Sequence, residues 1–316
     1  MSLEEFFDME EEEIIDYDFT DEILKYSKIS AKNLNLKNEY LNKNTEIIKK
    51  YILYKTTFSN CDPDINDGIL KDIYRRLWNL SEETIIFSDT MTSAQNIIAE
   101  FYTNICKEEW QKYKNDYNIK NKSKIKYFTK TILEDLYKNK ELYKEFRHYF
   151  IDKNDESKII LDFLAHYHSL GNYIPVPKGF NCARAGNFAS HDMWDITLMK
   201  IKQYYDNLDN TKLVLNKADE RLLELLHFDM TFYNTKQWLD SFGTFRDFID
   251  KNYLQSYVEL SNTYGEYKIK SCFIKMHSFN NPKVLQDKEA YLSYIKDITN
   301  AIKQRTRIMK DKYKNK

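Results

Sequence analysis

A chain of 316 residues with 42% hydrophobic and 31% charged residues carries enough apolar material for one large domain or two closely packed ones, and too much for a disordered chain. Its formal net charge of −1 supplies no overall field for nucleic acid or an anionic membrane, so a polyanionic partner must use a local patch. Four cysteines, Cys61, Cys106, Cys182 and Cys272, stand far apart without a CxxC pair. That spacing excludes a zinc ribbon or dithiol motif and fits reduced, buried thiols.

The N-terminal text MSLEEFFDMEEEEIIDYDF is acidic and unlike a signal or transit peptide, and no apolar run approaches the roughly 18 to 20 residues of a membrane span. A cytoplasmic protein without a membrane partner is expected. With only six glycines and four prolines to interrupt it, the chain should form long helices. The fold class expected is mostly α, with a minor sheet allowed. Residues 1–57 form an acidic N-terminal helical segment in this reading, and 58–316 the main helical domain, with an internal boundary near 107–128.

Taken in order, apolar spacing predicts a helix at 47–55. Another covers 69–80, where Ile69, Ile73, Leu77 and Leu80 form one face behind the start signal Asp62-Pro63-Asp64. A helix is expected at 92–106, a polar Lys- and Asn-rich stretch at 107–126, and helices again at 130–150 and 159–166. The segment 171–186 holds three glycines and two prolines and reads as an irregular loop. Helical spacing returns at 194–205, 212–227, 235–240 and 244–260, the last with Phe245, Phe248, Ile249 and Tyr253 on one face. A final helix is expected over 287–310, before the basic tail KDKYKNK. Short strands fit 84–87 and 268–274.

The densest polar chemistry lies between His166 and Tyr205. Glycines and prolines fix the backbone path there, and Asn172, Asn181, Arg184, His191, Asp192 and Asp195 gather around it. As a site, Arg184, His191, Asp192 and Asp195 are the catalytic candidates, because a carboxylate beside an imidazole can orient it for acid-base work. His168, Asn172, Asn181 and Trp194 are the binding candidates. The competing reading is structural: buried asparagines satisfying backbone amides, Arg184 paired with Asp192 or Asp195, and Ser190 with Asp192 capping a helix.

These residues carry a resemblance. GNYIPVP at 171–177, Phe180-Asn181 with Arg184, and Trp194-Asp195 followed by Thr197-Leu198, Ile201 and Tyr204-Tyr205 resemble a bacterial protein family of unknown function. Ser88-Asp89-Thr90-Met91, the segment 238–244, Phe248-Ile249, 251–254 and the closing IKQRTRIM at 302–309 extend the likeness. A weaker one is to the C-terminal part of modification-dependent His-metal restriction nucleases, carried by His168-Ser169-Leu170-Gly171-Asn172, Asn181 and Ile302 to Arg305. Their catalytic acidic-His-hydrophobic motif has no upstream equivalent here, which implies a shared fold without that chemistry.

Other patterns weigh less. His166 and His168 at i, i+2 diverge on a helix, and no metal set is expected. Asp62, Asp64 and Asp67 fit a helix cap and lack the glycine-centred calcium pattern. GxGxxG, GxxxxGK[ST] and GxSxG are absent, so no cofactor is named. Arg221 and His227 fit the spacing of helical defence ribonucleases, yet lie about 120° apart around a helix at roughly 100° per residue. The basic stretches 120–130 and 303–316 read as phosphate contacts or as solvated surface.

Three functions follow as expectations. The first is a bacterial accessory protein of anti-phage or mobile-element type whose polar pocket acts on nucleic acid or nucleotide. The second is a non-catalytic scaffold that holds a protein partner through its acidic N-terminus and helical faces, and the third is the Arg221–His227 ribonuclease. Whether the chain is an enzyme, or forms a homo-oligomer, is left open by the sequence.

Overall fold

A computed structural model describes residues 1–19, 68–92, 97, 101, 105–108, 111–112, 155–178, 180, 194–209, 230–261, 266–270 and 287–315. Among them, 67% are helical. The helices are α1 (Leu3–Asp8), α2 (Glu11–Asp16), α3 (Gly68–Trp78), α4 (Asp155–His166), α5 (Trp194–Asp209), α6 (Met230–Asp240), α7 (Phe245–Lys251) and α8 (Lys288–Lys314). Two antiparallel two-stranded sheets accompany them, β1 (Phe87–Thr90) with β2 (Tyr173–Val176), and β3 (Val258–Leu260) with β4 (Tyr267–Ile269). The fold is mostly α with a small amount of sheet.

The organising element is α8, a helix of 27 residues. Asp287 caps its first turn by accepting from the Ala290 amide at 2.7 Å, which satisfies one of the amides a helix start leaves open. Tyr291, Ile295, Ile298, Ile302, Arg305 and Met309 recur at three-to-four spacing and are all buried, so one stripe of the helix faces the interior along most of its length. The helix continues through most of the basic tail, beyond the expected end at 310.

Two apolar clusters line that stripe. One joins α4, α5, α7 and most of α8 with Trp194, Phe163, Tyr257 and Phe248 among its members. The other joins α1, α2 and α3 to Leu170, Tyr173, Tyr253 and Met309. Phe6, Phe7, Ile14 and Phe19 are fully buried there, and each contributes roughly 1.5–3 kcal/mol of burial.

Several expectations shift. On α3 the buried face is Leu70, Ile73, Tyr74 and Leu77; it keeps Ile73 and Leu77 of the expected stripe, while Ile69 and Leu80 are only partly buried, and Tyr74 hydrogen-bonds the Ser88 hydroxyl at 2.6 Å. The strands start at Phe87 and Tyr267 rather than at 84 and 268. Within the expected irregular loop, 173–176 is a strand with Pro175 opposite Ser88; a proline is accommodated because a two-stranded ladder leaves one edge unpaired. The expected helix 244–260 stops at Lys251, where Asn252 takes the cap position and Tyr253 adopts φ 57°, leading into the turn Gln255–Tyr257 and β3. The expected helices 47–55, 130–150 and 212–227 lie outside the described residues, as does nearly all of 92–104.

Candidate functional site

The segment from His166 to Val176 is held from three sides. His166 ends α4 with both ring nitrogens against oxygen acceptors, the Asp162 carbonyl at 2.6 Å and an Asp16 carboxylate oxygen at 3.0 Å. His168, also buried, has its Nδ1 3.7 Å from Asp18, and its carbonyl accepts from the Phe19 amide at 3.1 Å. The two imidazoles therefore meet different carboxylates of the N-terminal segment and do not converge. Among the described residues no group of three His, Cys, Asp or Glu side chains is placed to hold a metal.

Next comes a joint between this segment and α8. Gly171 sits so close to the helix that an added Cβ would stand 1.9 Å from the Ile302 carbonyl oxygen, and its amide donates to Thr306 Oγ1 at 2.9 Å. Arg305 is 0% exposed and donates to the carbonyls of Gly171 (3.0 Å), Tyr173 (2.6 Å) and Asn252 (3.1 Å). Burial drives its guanidinium down to about 10, against an opposing pull from Tyr257, Tyr74 and Tyr253. A buried charge of this kind persists only where hydrogen bonds replace its hydration. The structure thus brings together Gly171-Asn172 and Ile302 to Arg305, two of the sequence blocks singled out above.

Asn172 carries the joint to β1. Its Oδ1 accepts from the Thr92 amide at 3.0 Å, its Nδ2 donates to the carbonyls of Thr92 (3.1 Å) and Tyr167 (2.8 Å), and its own carbonyl accepts from the Met91 amide at 2.7 Å. The side chain acts as a backbone mimic. Met91 in turn accepts from the Trp194 amide at 3.1 Å, which fixes the start of α5.

At that start lie two buried carboxylates. Trp194 Nε1 donates to Asp89 Oδ2 at 2.5 Å, and Asp195 is 1% exposed in the first turn of α5, where the helix N-terminus favours negative charge. Tyr257 is fully buried, and its proton is held above the ordinary tyrosine range by burial first, with Arg305 pulling it down and Asp195 pushing it up. Phe180 packs on Trp194 at 5.7 Å and on Trp238 at 5.5 Å. Carboxylates in such a setting can accept hydrogen bonds from amino or hydroxyl groups, or take a proton.

Of the sequence-predicted residues, Asn172 and Trp194 thus fall on one hydrogen-bonded path through Tyr167, Met91-Thr92 and Asp89, while His168 and Asp195 adjoin it along the chain. Asn181, Arg184, His191 and Asp192 lie outside the described residues, as do Arg221 and His227. Cys106 is buried and in no disulfide among the described residues. Sequence reasoning missed Asp89, Tyr257 and Arg305 as site elements. Arg305 left a readable signal, a charged residue at an interior position of the Ile298, Ile302, Met309 stripe; Asp89 showed only its place in the Ser88-Asp89-Thr90-Met91 block, and the bond from the Trp194 amide to the Met91 carbonyl is what brings Trp194 beside it.

No helix among the described residues is long and apolar enough to cross a membrane. Neither a curated protein nor a solved structure matches the chain. Residues 47–309 match a family profile described as "Family of unknown function (DUF6994)", which takes in the Asp89–Trp194–Asp195 cluster and the Gly171–Arg305 joint but not the N-terminal helices. The chain belongs to that family of unknown function.

Proposed function

We propose that Asp89, Trp194 and Asp195 form the floor of a pocket completed by Asn181, Arg184, His191 and Asp192, and that this pocket acts on a nucleic acid or nucleotide. The observation that carries this reading is the burial of two carboxylates, Asp89 at 2% and Asp195 at 1% exposure, the first bonded to the Trp194 indole and the second next to Trp194 in the chain. Taking a carboxylate out of water is costly, and such groups concentrate where chemistry uses them. Arg184 supplies the cation for a phosphate, Asn181 a base or sugar contact, and Asp192 with Asp195 holds His191 in orientation for proton transfer. An anti-phage or mobile-element setting is part of the same proposal.

The test is turnover of a mixed panel of nucleotides and oligonucleotides by the wild-type chain, Arg184→Ala and Asp195→Asn, each first shown to be folded by circular dichroism. Loss of activity by about 10²-fold or more is expected for both variants. Folded variants with undiminished activity overturn the pocket.

One observation favours a second reading. Asn172 and Trp194 spend their donors on the chain itself, as a rigid non-catalytic binding protein requires. In that case a protein partner co-purifies and no nucleotide or nucleic acid is consumed.

A further inference from the structure

The N-terminal segment has two chemically different faces. Residues 1–19 contain nine carboxylates, Glu4, Glu5, Asp8, Glu10, Glu11, Glu12, Glu13, Asp16 and Asp18, and no lysine or arginine. Phe6, Phe7, Ile14, Ile15 and Phe19 are buried, whereas every carboxylate except Asp18 is exposed. The segment is therefore clamped by its apolar side and displays its charge outward.

One of the elements it packs against, the end of α8, is basic. Residues 303–314 of α8 carry six cations, Lys303, Arg305, Arg307, Lys310, Lys312 and Lys314, against the single acid Asp311. Arg307 Nε meets Glu11 at 2.6 Å, Lys310 Nζ donates to the Met9 carbonyl at 2.5 Å, and Phe7 stacks on Tyr313 at 3.9 Å. Arg307, Lys312 and Lys314 remain exposed. Residues 1–19 precede the family-matched region, and the anchors Lys310 and Tyr313 follow it.

We infer that the exposed cations at the end of α8 form a docking surface for the phosphate backbone of a nucleic acid, and that the acidic N-terminal segment is a built-in electrostatic cover that weakens this docking. The inference takes its ligand class from the nucleic-acid arm of the proposed pocket. The physical basis is charge complementarity. Phosphate binding scales with the cations it neutralises, and carboxylates within a Debye length of those cations, about 10 Å at 0.1 M salt, subtract from it. Composition alone does not produce this arrangement, because the chain as a whole is nearly neutral.

The experiment uses the full-length chain and a fluorescein-labelled single strand of about 30 nucleotides, as DNA and as RNA, at roughly 50 mM salt. The cover variant combines Glu4→Gln, Glu11→Gln and Glu12→Gln, leaving the buried Phe and Ile anchors in place. A control variant, Glu259→Gln, Glu266→Gln and Glu289→Gln, removes the same charge from exposed positions elsewhere. The cover variant is expected to bind at least about tenfold more tightly than both the wild type and the control. Adding Arg307→Gln, Lys312→Gln and Lys314→Gln should abolish that gain. Equal affinity of cover and control variants, or a gain that survives loss of the three cations, overturns the inference. Placing Asp195→Asn in the cover variant separates the two proposals: turnover reports on the pocket, and tight binding reports on the docking surface.

Discussion

At the scale of single residues, Gly171 and Arg305 act as a pair. The glycine lets the chain touch the backbone of α8, and the arginine fills the remaining space with donors for three carbonyls. Gly171→Ala must push apart two backbones, since the clashing atoms are the Ile302 carbonyl and its carbon, and no rotamer change relieves that. A loss of at least about 3 kcal/mol in urea unfolding is expected, at the upper end of overpacking penalties; a loss below about 1 kcal/mol would mean that the approach is looser than described. Asn172 and Trp194 were legible as special positions, and the reading of buried asparagines satisfying backbone amides describes Asn172, but their partners were not legible. A sequence shows that a polar side chain lies in an apolar stretch, whereas the partner that satisfies it comes from chain 80 residues or more away.

Elements differed in how far periodicity could reach. Helices α3, α5 and α8 were readable because their buried faces repeat over two or more turns. β2 was not, because four residues that are all buried show no alternation, and Pro175 argues locally against a strand. The end of α7 was hidden for another reason: Phe245, Phe248, Ile249 and Tyr253 keep helical spacing, while Tyr253 leaves the helix to donate its hydroxyl to the Leu77 carbonyl at 2.7 Å. The start of α7 is set locally. Thr244 accepts from the Asp247 amide at 3.0 Å, so Thr244→Ala is expected to cost about 1 kcal/mol, read as a shift in the urea midpoint at unchanged slope. An unchanged midpoint would show that α7 is held by its buried Phe245, Phe248 and Ile249 alone.

For the whole molecule, tyrosines govern the response to alkali. Tyr204, Tyr205, Tyr253, Tyr257 and Tyr267 all hold their protons above the ordinary value of 10.0, each with burial as the first cause. The unfolded chain releases these protons near pH 10 while the folded chain keeps them, so their contribution is fully present below pH 10 and is lost as pH rises through the folded values. Arg305 works in the opposite sense, its folded value lying near 10 below the ordinary 12.5, but it is one group against five. Urea midpoints should hold level between pH 8 and 9.5 and fall beyond about pH 10. A midpoint that rises there would reverse the assignment. Tyr257→Phe should flatten the fall.

The same scale joins the two proposals, since α8 carries both the Arg305 joint and, farther along, the exposed cations near its end, and the joint fixes the start of α5 through Asn172 and Met91. The most direct test of the pocket is native mass spectrometry of everything retained by the purified chain, compared between the wild type, Arg184→Ala and Asp195→Asn. A nucleotide or nucleic acid fragment retained by the wild type and lost from both folded variants is the predicted result. A wild-type protein that carries only a protein partner, or a nucleotide that stays on both variants, contradicts it.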